Sequence, residues 1–369
     1  MTNNSGDKTM NANLQNVSIK GMRGDYSRYA LTQYNAVNRG LDTAVEKLIK
    51  PAAARLSGSQ FRMVDLGSAD GVNGFPVIDA FANALRPSLS TPNPQLSVFH
   101  LDVPTADFKT LTDNIYSHPD SYHARLKDRF EVQPAILPGS FYAPYVEAQS
   151  AEVVFSTTAL HYGSRSAGPI TGHIEPLYAR GDQKSKWNQL SREDLDSILQ
   201  QAHRALKPGG VFWAVAPAHT TDDQGQIANH WNKEVWNVMI ELLENMNRNG
   251  ELDSKSWEEF VIPVHQRHID EWQDWFDRHP EKFKLEFLEV VESQNPYLDF
   301  YLHEHRDPNR FADDYLGFFR AWGERIAGTL IPEEQQREAF YAKLHQAFKS
   351  DPERFANDNV SVYAGATRL

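Results

Sequence analysis

Apolar residues recur along this chain with two spacings, and their alternation predicts an α/β architecture. Leu41, Ala44, Val45, Leu48 and Ile49 mark one face of a helix that Pro51 is expected to end. Met63, Val64 and Leu66 then form an apolar strand, followed by a glycine turn and a helix carrying Val77, Ile78, Phe81, Ala82 and Leu85. Further strands are expected at 96–101, 130–136, 152–156 and 211–216, the third with the continuous apolar character of a strand buried on both faces. Phe108, Leu111 and Ile115 predict another helix between them. Ser191-Arg192-Glu193-Asp194 reads as a capping-box start for a helix running to about Leu206, which Lys207-Pro208-Gly209-Gly210 stops. Such alternation implies a mainly parallel sheet with helices on both faces.

From residue 228 the pattern changes. Trp231, Val235, Val238, Met239, Leu242 and Leu243 fall at helical spacing, and strand signals become sparse. They return at 283–291 and 360–366, separated by helices around 315–330 and 333–348. The expected organisation is a polar, Asn-rich disordered start over 1–18; a core formed by 19–225, 283–300 and 355–369; and a mainly helical cap formed by 226–282 and 301–354.

Composition narrows the function classes. With 37 basic and 49 acidic residues the net charge is −12, which repels nucleic acid and anionic membrane unless a local patch overrides it, and none is visible. Cysteine is absent, excluding disulfides, zinc-thiolate sites and cysteine nucleophiles, so the cytoplasm is the expected location. No run approaches the roughly 20 apolar residues of a membrane span.

The segment 61–74, FRMVDLGSADGVNG, carries the clearest chemistry. A buried strand ends there in Asp65 and meets Gly67 and Gly71, which permit close backbone approach. It lacks the G-x-G-x-x-G that seats a pyrophosphate, so a nicotinamide oxidoreductase is disfavoured. A cofactor without phosphates fits better: S-adenosylmethionine has a cationic sulfonium, an amino group and a ribose diol, and such a ligand calls for carboxylates. Asp102 ends the next strand, where it can accept both ribose hydroxyls. Pro138-Gly139-Ser140-Phe141-Tyr142 offers a hydroxyl and aromatic rings to bracket an adenine, and 156–163 places hydroxyls, His161 and Tyr162 where an acceptor would lie. His265 with His268, or His303 with His305, lack a convincing third ligand, so no metal is expected. Gly-x-Ser-x-Gly is missing, which argues against a common esterase.

Taken in order, these segments resemble the SABATH carboxyl methyltransferases, from about residue 19 to the end of the chain. The pattern D-L-G-x-x-x-G-x-N is met by Asp65, Leu66, Gly67, Gly71 and Asn73; D-L-P-x-N-D-F is met by Asp102, Val103, Pro104, Asp107 and Phe108; P-G-S-F-Y is matched in full. The resemblance implies a Rossmann-like S-adenosylmethionine-dependent core with a mostly parallel seven-stranded sheet and an α-helical cap. It also implies a homodimer and methylation of a small-molecule carboxylic acid. By the same resemblance the cofactor would be held by Tyr29, Asp65, Gly67, Asn73, Asp102, Val103, Ser140, Phe141 and Ser156. The acceptor would be held by Lys20, Gln33, His161, Tyr162, Trp236, Phe319 and Trp322, with His161 and Tyr162 as the catalytic pair.

Two departures bear on specificity. Tyr162 stands where the pattern has a tryptophan. Tyr29-Ala30 fits the start of Y-A-x-N-S-x-x-Q, but Thr32, Gln33 and Ala36 then replace its Asn, Ser and Gln. Three readings follow: carboxyl methylation, which needs no base because the acceptor is already anionic; methylation of a neutral nitrogen or hydroxyl with His161 as base; or a non-catalytic ligand-binding protein on the same fold.

Overall fold

The computed structural model describes residues 26–56, 58–356 and 359–369; the expected disordered start and Lys20 lie outside the described residues. The strands are β1 (Gln60–Leu66), β2 (Gln95–Asp102), β3 (Glu131–Pro138), β4 (Ala151–Thr157), β5 (Leu206–Pro217), β6 (His219–Thr221), β7 (Ile227–His230), β8 (Phe283–Ser293) and β9 (Asn359–Arg368). Seven of them form one sheet in the order β3-β2-β1-β4-β5-β9-β8, while β6 and β7 make a small hairpin. Neighbours from β3 to β5 are parallel, and β9 runs antiparallel to both β5 and β8. The chain starts at the centre with β1, moves outward to β3 and returns to the other side of β1 with β4. The carboxyl ends of β1 and β4 therefore flank the point where strand order reverses, the usual place for a ligand in an open sheet.

Period-two alternation along β1 explains the layers. Phe61 and Met63 join Ile78 and Phe81 on one face, whereas Val64 and Leu66 join Ile198 and Leu199 on the other. Every residue of β4 is buried, as a central strand covered on both faces requires.

Two expected helix ends differ. The helix α1 (Leu31–Ala44) continues past Pro51, through a π turn at Val45–Ile49 into Lys50–Ala53. The widened turn accommodates a ring that an α-turn would press against the carbonyl four residues back. The helix expected to start at Ser191 is one continuous α4 (Gly181–Ala205). Its capping-box residues have other partners: Ser191 Oγ donates to Glu271 Oε2 at 2.8 Å, and Asp194 accepts from Ser164 and His265. Between them in sequence lie α2 (Phe75–Leu85) and α3 (Phe108–Ser117). The later helices are α5 (Lys233–Arg248), α6 (Ile269–Arg278), α7 (Pro308–Leu330) and α8 (Glu334–Ser350). Helices α5, α7 and α8 share a second apolar core that includes Trp236, Met239, Phe319 and Phe340.

Candidate active site

The ends of β1, β2 and β3 are stitched together around the glycine turn. Gly67 N and Ser68 N donate to Leu101 O at 2.8 and 3.2 Å, and Gly139 N donates to Asp102 O at 2.8 Å. The Asp102 carboxylate accepts Ala69 N at Oδ2 and Val103 N at Oδ1, each at 2.7 Å. Both oxygens keep a second lone pair for a hydroxyl. Burial pushes the Asp102 carboxyl up to about 6, against the lowering effect of those two backbone donors. Gly67 has φ +77°, and a Cβ there would overlap the Cβ of Ala159, so the turn admits the loop after β4 only without a side chain.

The other expected cofactor residues are placed unequally. Ser140 Oγ accepts from Tyr142 N at 3.2 Å and keeps its own hydrogen to donate, with the Phe141 ring beside Tyr142. Asn73 lies buried in the 3-10 turn Val72–Gly74. Asp65 sits beneath the turn: its Oδ2 lies 3.2 Å from His100 Nδ1, and a Cβ on Gly74 would come within 2.9 Å of it. Asp65 Oδ1 and Ser68 Oγ are buried without hydrogen-bond partners. Ser156 Oγ is committed to Leu66 O at 2.8 Å, tying β4 to β1. The unpaired oxygens of Asp65 and Ser68 and the acidic strand ends fit an adenosyl sulfonium.

A cavity with about 560 Å³ of empty space, counting its mouth, adjoins this end of the sheet. Tyr26, Gln33, His161, Tyr162, Trp236 and Trp322 are among the residues lining it. Continuity with the cofactor end is electrostatic as well as spatial. Burial raises the Tyr162 phenol beyond the ordinary tyrosine range, and the nearby Asp102 charge adds to this. Burial lowers the His161 imidazole to about 3, helped by the positive Arg267, so the ring is neutral at physiological pH. Gln33 Oε1, His161 Nδ1, and the indole nitrogens of Trp236 and Trp322 are all buried there with no hydrogen-bond partner. The wall therefore offers two unpaired indole donors.

The two tyrosines before α1 are placed differently. The Tyr29 ring lies against Gly317 of α7, and its carbonyl accepts from Tyr297, so Tyr29 does not line the cavity. Tyr26 does, together with Gln33, and the offset of seven from one to the other equals that from the tyrosine to the glutamine in Y-A-x-N-S-x-x-Q. Gln33 is already expected at the acceptor; reading the motif from Tyr26 adds Tyr26. Phe319 lies outside this cavity, in an adjoining apolar one. Trp231 and Gln266 line the site without having been expected there, while Thr158 belongs to the 156–163 segment expected to face an acceptor; its positive φ of 70°, strained for a β-branched residue, is something sequence cannot show.

The wall carrying His161 and Tyr162 is held carbonyl by carbonyl. Arg267 Nη1 donates to Leu160 O at 2.8 Å, His265 N to His161 O at 2.6 Å, and Tyr142 OH to Tyr162 O. Gly163 N then donates to Pro263 O at 2.7 Å, and Ser164 donates through N and Oγ to Asp194 at 2.9 and 2.6 Å. Among the described residues no three His, Asp or Glu side chains gather as a metal site.

Comparison with known proteins agrees with this geometry. The family model described as "SAM dependent carboxyl methyltransferase" matches residues 21–361. Indole-3-acetate O-methyltransferase 1 of Arabidopsis thaliana is 22% identical, over 93% of this chain and 91% of its own. The rice (Oryza sativa subsp. japonica) protein of that name is 21% identical, over 76% and 75%. Among solved structures, loganic acid methyltransferase with SAH superposes with a TM-score of 0.74 at 17% identity, covering 95% of this chain and 98% of that one, and shares the fold. This chain belongs to the SAM-dependent carboxyl methyltransferase family.

Proposed function

We propose that the cavity holds the carboxylate of a small-molecule acid against Tyr162 and Gln33, beside the cofactor end of the sheet. One observation carries the reading: buried, unpaired indole N–H donors line a cavity in which burial pushes His161, the one imidazole among its described lining residues, down to about 3. Such a wall suits an occupant that accepts hydrogen bonds and arrives ionised. It is poorly suited to taking a proton from a neutral nitrogen or hydroxyl.

S-adenosylmethionine, when bound, supplies the electrophilic methyl. Asp102 and Ser140 would hold its adenosine part, and the Gly67 turn would shape the approach. The remaining task for this chain is to place a carboxylate oxygen in line with that methyl and to exclude water, which makes positioning the main catalytic contribution. His161 and Tyr162 would orient the acid, the Trp236 indole N–H would donate to its carboxylate, and the Trp322 ring would contact its body. The segments 226–282 and 301–354 would act as the cap over it. A cytoplasmic location rests on the cysteine-free composition, and a homodimer rests on the family resemblance.

The test is transfer of labelled methyl to a mixed carboxylic acid library, followed by mild alkali. Release of the label as methanol identifies an ester; an alkali-stable product would refute the reading. Trp236→Phe, which removes one N–H and little volume, should lower kcat/KM for the acid by roughly tenfold to a hundredfold, as loss of a hydrogen bond to a charged group does.

A further inference from the structure

Behind Trp322 lies a second, apolar chamber with about 320 Å³ of empty space, counting its mouth and the open solvent there, walled by Met239, Leu243, Phe319, Ala327, Leu330 and Phe340 among others. Ile262 and Trp322 line both chambers, so the two adjoin at those side chains. Their chemistry differs sharply. The first presents Gln33, His161, Tyr162 and Gln266, whereas the described residues lining the second present only hydrocarbon and aromatic surface. Folded cores close such voids, because every unfilled volume forfeits packing. Here α5, α7 and α8 leave one open beside a core otherwise crowded with rings: Phe319 lies 4.9 Å from Trp322 and 6.4 Å from Phe340, centroid to centroid.

We propose that the second chamber receives a hydrocarbon tail, and that the acceptor is an amphipathic carboxylic acid long enough to pass Trp322. This rests on the carboxyl reading above and names the class of acid. The head stays with Tyr162 and Gln33, and the tail crosses beside Ile262 and Trp322 to end against Phe319 and Phe340. A chamber with so few polar partners selects strongly. Each methylene buried there should raise kcat/KM about fourfold, and a terminal hydroxyl should cost more than about fivefold because nothing there can pair with it.

The experiment uses the full chain with S-adenosylmethionine and straight-chain acids from butanoate to dodecanoate, below their micellar concentrations. Expected are rates that climb with length and then level off, and a much poorer ω-hydroxydodecanoate. Ala327→Phe, which fills the chamber, should lower the dodecanoate-to-hexanoate ratio of kcat/KM by roughly tenfold or more. Leu243→Phe fills it from the opposite wall, and S-adenosylhomocysteine binding reports that each variant is folded. A flat or falling series among acids that are methylated, or proportionate losses for every acid in both filled variants, would overturn the inference while leaving carboxyl methylation intact. If no straight-chain acid is methylated although acids of the mixed library are, this inference falls alone; if no acid of either set is methylated although S-adenosylhomocysteine binds, the carboxyl reading falls with it.

Discussion

His265 donates from Nε2 to Asp194 Oδ2 across 2.9 Å, joining the middle of α4 to the segment that backs His161. The same carboxylate accepts both hydrogens offered by Ser164, and the backbone N–H of His265 fixes the His161 carbonyl. One buried acid thus anchors both sides of the acceptor wall, without touching the cavity itself.

Asp194→Ala should therefore act through position. It strands the donors of Ser164 and His265, at a cost of about 2–4 kcal/mol in stability. The acceptor KM should rise several-fold while affinity for S-adenosylhomocysteine, measured by calorimetry, stays nearly constant. Parallel losses in both would mean that Asp194 supports the whole fold and not that wall.

Gly67→Ala should be severe. A left-handed φ costs an alanine about 1–2 kcal/mol, and overlap with Ala159 adds about 1–3 kcal/mol. Pairing it with Ala159→Gly relieves the overlap but leaves the strained dihedral. The double variant should recover part of the lost melting temperature; no recovery would show that the Ala159 contact does not limit the turn.

Asp102 predicts how cofactor affinity responds to acid. Its carboxyl is raised to about 6, so as pH falls through that value it takes up a proton and no longer offers two charged oxygens to the ribose hydroxyls. If only the ionised form binds, affinity should weaken about fourfold between pH ~7 and ~5.5. Asp102→Asn should bind weakly at both values with no such change. At saturation kcat should show no rise near the usual histidine pKa, since His161 stays neutral far below it.

Glu175 provides a separate test of buried charge. It is wholly buried, accepts from Gln266 at Oε1 and leaves Oε2 unpaired, 3.9 Å from a neutral His230. Burial holds its carboxyl well above the ordinary range, so the folded protein keeps the proton that the unfolded chain releases above about pH 4.3. Stability from this group is full below that value and falls as pH rises, by about 1.4 kcal/mol per pH unit, until the folded group ionises too. Glu175→Gln cannot ionise. Its stability relative to the natural chain should improve between pH ~5 and ~7 in denaturant titrations, and a constant difference would contradict the assignment.

Much of the sheet was legible because its evidence is local. Continuous apolar runs at β1, β4 and β5 and the glycine turn after Leu66 depend on near neighbours in the chain, and the strands lie within a few residues of expectation. Helix ends read less well. Ser191 and Asp194 have the residue types of a cap, yet both side chains serve partners far away in sequence, Glu271 and His265.

The sequence alone determined the order of strands and helices, the acidic strand ends and the family pattern that joins them, since each follows from periodicity or short-range spacing. Tertiary structure decided which tyrosine before α1 reaches the cavity and that Ser156 ties two strands together. It also set the neutrality of His161 and the opening of a second chamber beyond Trp322. These depend on burial and on which distant side chains meet, and packing settles both only when the whole chain is folded.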